Sequence, residues 1–275
     1  MMNRPSPDIP LRFAIVGDPS LPQLLFLHGF LGSSNDWLPF ARLLEERFCS
    51  ILVDLPGHGG TGMPDTAIAD DFFERTVDAL ANALRSTANG SCVPVGYSMG
   101  GRIALCLTLR HPGLVTKAVI ISSSPGLKTE EERRQRRQHD DRLASDLESD
   151  PEGFLEKWYR LPLFETLTIH PAFPEIIKAR HISDPRAMAA SLRALGTGNQ
   201  PSLWDELPGN RLPILFCVGE KDAKFVEIGR QMVNLSPGSA LDIFPGCGHT
   251  LHVEDRERFA GRLESFINNP RILPI

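Results

Sequence analysis

Six short runs of the chain are continuously apolar rather than apolar at alternate positions, with Asp242 the one exception: 24–27, 51–53, 93–95, 118–121, 214–218 and 240–244. A strand that is apolar throughout is buried on both faces, which is the condition of a parallel sheet sandwiched between helices. Longer amphipathic patterns over 37–46, 69–86, 99–110, 226–235 and 255–267 alternate with these runs and supply the helices. Proline or glycine marks most of the junctions. The pattern therefore predicts an α/β protein: a mostly parallel, twisted sheet with helices on both faces.

The stretch 125–201 breaks that rhythm. It is strand-poor, carries the charged run Glu130-Glu131-Glu132-Arg133-Arg134-Gln135-Arg136-Arg137, and returns to helical patterns around Trp158 and over 187–195. Inserted between two strands, it would cover the carboxyl ends of the sheet, where α/β proteins bind their ligands. The expected organisation is a core of 1–124 and 202–275 with a helical lid, 125–201, inserted in it. Both chain ends are polar or broken by proline and are expected to fray.

Composition narrows the function classes. The net charge of -5 gives no overall field attracting nucleic acid or an anionic membrane, so neither is an expected partner. No apolar run approaches the roughly 18 residues that suggest a bilayer span, and the opening Met-Met-Asn-Arg-Pro-Ser-Pro lacks the apolar centre of a secretory signal. Five cysteines (Cys49, Cys92, Cys106, Cys217 and Cys247) form no CxxC pair, and most lie in apolar, strand-like or helical stretches. They read as buried, reduced thiols of a cytoplasmic protein. A monomer is the default expectation.

The chemistry concentrates at strand ends. Gly96-Tyr97-Ser98-Met99-Gly100 fits G-x-S-x-G between a strand and a helix, a turn that forces the serine into a strained, exposed conformation. Gly101 lets the following helix approach the sheet. A serine hydroxyl needs a neighbouring base, and in this arrangement an acid and then a histidine follow at later strand ends. Asp222 follows the run ending at Gly219, and His249 follows the next run. His249 would take the proton from Ser98 while Asp222 fixes its tautomer. Asp54 and Glu220 compete with Asp222; Asp54 reads as a structural residue of the Asp54-Leu55-Pro56-Gly57-His58-Gly59 turn. Of the eight histidines, only His252 competes with His249, and it reads as a helix-start residue. No metal-ligand spacing appears, so neither metal nor cofactor is expected. An oxyanion hole requires two N–H donors: Met99 at the helix start and, from the His28-Gly29-Phe30-Leu31-Gly32 loop, Phe30.

With these motifs in place the chain resembles the α/β-hydrolase superfamily over essentially its full length. More narrowly, it resembles the 2-succinyl-6-hydroxy-2,4-cyclohexadiene-1-carboxylate synthase family, the pyruvate-eliminating lyases of menaquinone biosynthesis. The narrowing residues are the 27–34 and 54–59 motifs, Gly96 to Arg102, Gly219-Glu220-Lys221-Asp222-Ala223-Lys224-Phe225, and, in the lid, Asp141-Arg142, Trp158-Tyr159 and Arg180. The match is weaker at Ser34 and at Arg160-Leu161. The resemblance implies elimination of pyruvate from 2-succinyl-5-enolpyruvyl-6-hydroxy-3-cyclohexene-1-carboxylate, with Ser98 as base rather than acylated nucleophile. It implies that Arg102, Arg142 and Arg180 bind this polycarboxylate, with Trp158 and Tyr97 against it.

Arg102 also has an independent argument. It lies four residues after Ser98, hence on the same helix face, and a guanidinium fork suits carboxylates; an ion pair with a nearby acid is the bland alternative. Arg133, Arg134, Arg136 and Arg137 read as a solvated helix face. Trp158 could instead be lid core, and Tyr97 could simply pack. Because fold does not fix reaction, two other readings remain open: a serine hydrolase of a small ester, thioester or carbon–carbon bond substrate, and a non-catalytic ligand-binding scaffold.

Overall fold

The structure, a computed structural model, describes residues 9–68, 70–87, 91–180, 182 and 184–269. The expected fraying of the ends and the reading of the amino-terminal leader fall largely outside these residues. In chain order the elements are β1 (Arg12–Val16), β2 (Gln23–Leu27), α1 (Leu38–Leu44), β3 (Cys49–Asp54), α2 (Phe72–Thr87), β4 (Cys92–Tyr97), α3 (Met99–Arg110) and β5 (Ala118–Ile121). There follow α4 (Glu130–Ser149), α5 (Pro151–Tyr159), α6 (Glu165–Thr168), α7 (Phe173–Ala179) and α8 (Pro185–Leu195). The chain then gives β6 (Ile214–Gly219), α9 (Ala223–Leu235), β7 (Ala240–Phe244), α10 (Leu251–Glu254) and α11 (Arg256–Asn268). The predicted helix over 69–86 begins at Phe72 instead, and Ala69 lies outside the described residues.

Seven strands form one sheet in the order β1-β3-β2-β4-β5-β6-β7. Every pairing is parallel except that of β1 with β3. The six predicted strands are β2 to β7. The unpredicted β1 is an antiparallel edge strand with four of its five residues exposed, although residues 13–16 form as continuous an apolar run as the buried strands do.

Burial on both faces is visible residue by residue. Leu25 and Leu27 of β2 join Ile51, Val53, Ile120 and Phe216 under α2 and α3, while Leu24 and Phe26 join Leu52, Val95, Val119 and Leu215 under α1 and α11. Helix α3 crosses the centre of the molecule and is buried from Met99 to Thr108.

The insertion between β5 and β6 holds five helices and no strand among the described residues. It has a core of its own, in which Ala144, Leu147, Phe154, Phe164, Leu167, Met188 and Leu192 meet Leu31 of the β2–α1 loop. Its two ends are tied together: Leu203 N–H donates to Pro125 O at 2.7 Å, the Trp204 indole to Gly126 O at 2.9 Å, and the Gln200 amide to Ser124 O at 3.1 Å. Helix α4 starts from a full capping box, Thr129 with Glu132, which fixes its register over the sheet. Among the described residues no helix is long and apolar enough to cross a membrane.

Candidate active site

Ser98 occupies the single residue between β4 and α3, with φ +50° and ψ −108°. A non-glycine residue there is strained, and the strain is held by packing on both sides. The Ser98 N–H donates to Ile121 O at 2.9 Å, and the Ser123 hydroxyl donates to Ser98 O at 2.6 Å. A Cβ at Gly100 would strike the Leu27 carbonyl, and one at Gly101 the Ser123 hydroxyl. Only glycine at both positions allows the turn to lie this close to β2 and β5.

The two partners arrive from the ends of β6 and β7. Asp222 sits at the start of α9, 8% exposed, and His249 is 1% exposed. The His249 Nδ1–H donates to Asp222 Oδ2 at 2.6 Å, and the Ser98 hydroxyl donates to His249 Nε2 at 3.1 Å. That tautomer follows from the network itself. The rivals are elsewhere employed. Asp54 accepts Ser34 N–H at 2.7 Å and Gly60 N–H at 2.8 Å, clamping two loops. Glu220 accepts Gly246 N–H at 2.8 Å. His252 lies in α10, stacked on Trp37 with ring centres 4.9 Å apart.

The β2–α1 loop is braced by two neutral histidines. His28 donates Nδ1–H to Gly29 O at 2.8 Å and accepts Leu55 N–H at 3.0 Å; His58 accepts Leu31 N–H at 3.3 Å. Burial lowers both pKa values, that of His58 to about 3. The N–H groups of Phe30 and Met99 have no acceptor among the described residues, and both residues line the cavity at Ser98.

That cavity has two lobes, of about 260 Å³ and 240 Å³, which share Ser98, Phe30, Trp158 and Leu163. Trp158 lines both: its ring lies edge-on to Phe30, centres 5.2 Å apart, and stacks on Phe154, so it is both lid core and cavity wall. The smaller lobe contains Arg102, Arg136, Lys224 and Phe225. Arg102 is 9% exposed, its Nη1 has no partner, and no ion pair reaches it among the described residues. Burial, with help from the like charge of Arg136, pushes its pKa down to about 10, so it stays a cation at neutral pH. The larger lobe contains Tyr97 and Arg180. Burial raises the Tyr97 phenol well above its ordinary pKa and keeps it neutral. Arg180 is already paired, with Asp36 Oδ1 at 2.6 Å and, through Nε, with the Tyr159 hydroxyl at 3.0 Å.

Arg142 does not reach either lobe. It is exposed on the outer face of α4, and the arginine of α4 that lines the smaller lobe is Arg136; Arg133 and Arg137 instead turn onto the Leu127 and Gly198 carbonyls. Six residues at about 100° each separate Arg136 from Arg142 by about 240° around the helix axis. The reading of Arg136 as part of a solvated face is corrected by the same geometry. Buried Asp140, one turn on, accepts its Nε–H at 2.7 Å. An acid at i+4 within an otherwise solvated pattern was the available signal.

A serine on a strand-to-helix turn, served by an imidazole and a carboxylate from later strand ends of a parallel sheet, is the hallmark of one class of protein. The chain belongs to it: the family model described as "Alpha/beta hydrolase family" matches residues 24–262. Within that class its likenesses are specific. It is 30% identical to the 2-succinyl-6-hydroxy-2,4-cyclohexadiene-1-carboxylate synthase of Escherichia coli O1:K1, over 90% of this chain and 94% of that protein. It is 35% identical to "Protein PHYLLO, chloroplastic" of Arabidopsis thaliana over 88% of its own length, and spans 15% of that longer protein. Among solved structures, MenH from S. aureus aligns with a TM-score of 0.86 at 33% identity, covering 94% of this chain and 97% of that one.

Proposed function

We propose that this chain is a carbon–oxygen lyase that eliminates pyruvate from 2-succinyl-5-enolpyruvyl-6-hydroxy-3-cyclohexene-1-carboxylate. The product is 2-succinyl-6-hydroxy-2,4-cyclohexadiene-1-carboxylate, a step of menaquinone biosynthesis. The observation that carries the reading is the hydrogen-bonded chain Asp222–His249–Ser98 opening onto a cavity with a buried, unpaired Arg102. A buried guanidinium without an ion-pair partner is costly, and a substrate carboxylate supplies one. The E. coli relative bears the name of this activity at 30% identity over nearly its whole length.

In this reading His249 draws the proton from Ser98, and the serine oxygen removes the acidic proton beside the succinyl ketone. Negative charge develops on the ketone oxygen, where the N–H groups of Phe30 and Met99 receive it, Met99 at the positive end of α3. The carbon–oxygen bond then breaks, the enolpyruvyl group departs as the enolate of pyruvate, and the proton held on His249 is returned to it, giving pyruvate and resetting the triad. Arg102 and Arg136 hold carboxylates in one lobe and Arg180 in the other, with Trp158 against the ring and Tyr97 lining the wall. Residues 125–201 act as the lid, on the boundaries read from the sequence. Each chain carries a whole site, so a monomer suffices, and five free, buried thiols suit a cytoplasmic setting. No cofactor enters the chemistry.

Purified protein given this substrate should release pyruvate, and Ser98→Ala should abolish the release. A folded enzyme that releases none, and instead shows an acyl-enzyme burst with an activated ester, would turn the assignment to a hydrolase.

A further inference from the structure

The loop that presents His249 is anchored by a carboxylate outside the triad. Glu254, the last residue of α10, turns back on the residues either side of the imidazole. Its Oε2 accepts the Gly248 N–H at 2.7 Å, while Oε1 accepts the Thr250 N–H at 3.2 Å and the Thr250 hydroxyl at 2.5 Å. The loop needs such a clamp because Gly246 and Gly248 leave its backbone unusually free. Its first half is tied elsewhere, by Glu220 to Gly246 and by the Lys221 N–H to Cys247 O at 2.8 Å. The half that carries the imidazole has Glu254. Close packing leaves that clamp a single seat: a Cβ at Gly248 would strike Thr166 of α6, and one at Gly219 would strike the Gly248 carbonyl.

We propose that Glu254 is a positioning residue for His249, setting the ring where it meets Asp222 and Ser98 at once. The assignment rests on the triad reading of the site and not on the identity of the substrate. All three groups facing Glu254 are donors, so a carboxylate satisfies every one of them. A carboxamide of the same shape would turn its NH2 against one of these donors, and the loop would have to shift. Misplacing a reacting group by an ångström costs about 100-fold in rate.

The test compares the full-length protein with Glu254→Gln, and with Thr250→Ala, which removes one of the three donors. The rate at which a fluorophosphonate modifies Ser98 reads imidazole placement without any substrate. Glu254→Gln should slow it roughly 30- to 100-fold, and kcat for pyruvate release should fall in parallel while KM changes less than about threefold. Thr250→Ala should give a smaller loss of the same kind. The Nδ1 proton of His249, held in a 2.6 Å bond, should resonate far downfield in the wild type and broaden or move upfield in Glu254→Gln. Wild-type labelling and an unmoved resonance in folded Glu254→Gln would overturn the proposal. If that variant does not fold, unchanged labelling in Thr250→Ala would overturn it. Should the wild type release no pyruvate, the labelling rate and the resonance still decide the role of Glu254.

Discussion

Arg136 and Arg142 sit six residues apart on α4 and point about 120° apart around its axis. Arg136 lines the smaller lobe beside Arg102 with its Nε held by Asp140, whereas Arg142 stands in solvent. The terminal nitrogens of Arg136 donate to nothing else among the described residues, so they remain for a ligand. Arg136→Ala should therefore raise KM about 10- to 100-fold, the worth of a charge-assisted carboxylate contact. Arg142→Ala should stay within about twofold. Steady-state kinetics of both variants decide the matter, and a large effect at Arg142 with none at Arg136 would reverse the assignment.

Asp222→Asn should keep the fold and lose most of the activity. An amide at 2.6 Å from His249 Nδ1 favours the tautomer that can no longer accept the Ser98 proton. A loss on the order of 10⁴ in kcat is expected for a triad that works this way. Melting temperature and kcat measured on the same preparation separate the two effects, and activity within tenfold of wild type would contradict the role given to Asp222.

Arg102 should trade stability for function. Its guanidinium is buried with an unpartnered Nη1, and replacing such a charge with an apolar side chain of similar length is often neutral or stabilising. Arg102→Met is expected to melt at or above the wild-type temperature while KM rises at least tenfold. Destabilisation by several degrees would mean that the arginine serves the fold instead.

Acid should destabilise the fold. Burial holds His58 and His252 at pKa values of about 3, below the ordinary 6.5 that they regain on unfolding. Below pH 6.5 the unfolded chain takes up protons that the folded chain refuses. The stability these residues confer is therefore whole above pH 6.5 and is lost as the pH falls towards 3. At pH 5 the loss is on the order of 2 kcal/mol for each histidine. His252→Phe, among aromatic neighbours and with no bond lost at the unpartnered Nδ1, should flatten the fall in melting temperature between pH 7.5 and 5. An unchanged slope would show that other groups dominate.

Much of this was legible because it depends on local rules. A strand buried on both faces is written as a largely apolar run, so β2 to β7 declared themselves; the run 13–16 of the edge strand β1 is just as apolar, and its exposure is decided only by the tertiary structure. A nucleophile turn needs glycine at fixed offsets, so Ser98 stood out at once. Arg136 was obscured because charge runs report a helix without saying which way it turns. The reach of Glu254 to Gly248 and Thr250 is invisible in a pattern of single residues, since it depends on where α10 doubles back.

The sequence by itself determined the six parallel strands, the insertion and the order serine, acid, histidine, since each follows from spacing and burial along the chain. Only the tertiary structure decided which arginines face the cavity, that Arg180 is paired with Asp36 while Arg102 has no ion pair, and that Trp158 lines both lobes above Ser98. Those outcomes depend on how helices rotate and pack against one another, and the balance of charge in a closed cavity is set by neighbours distant in the chain.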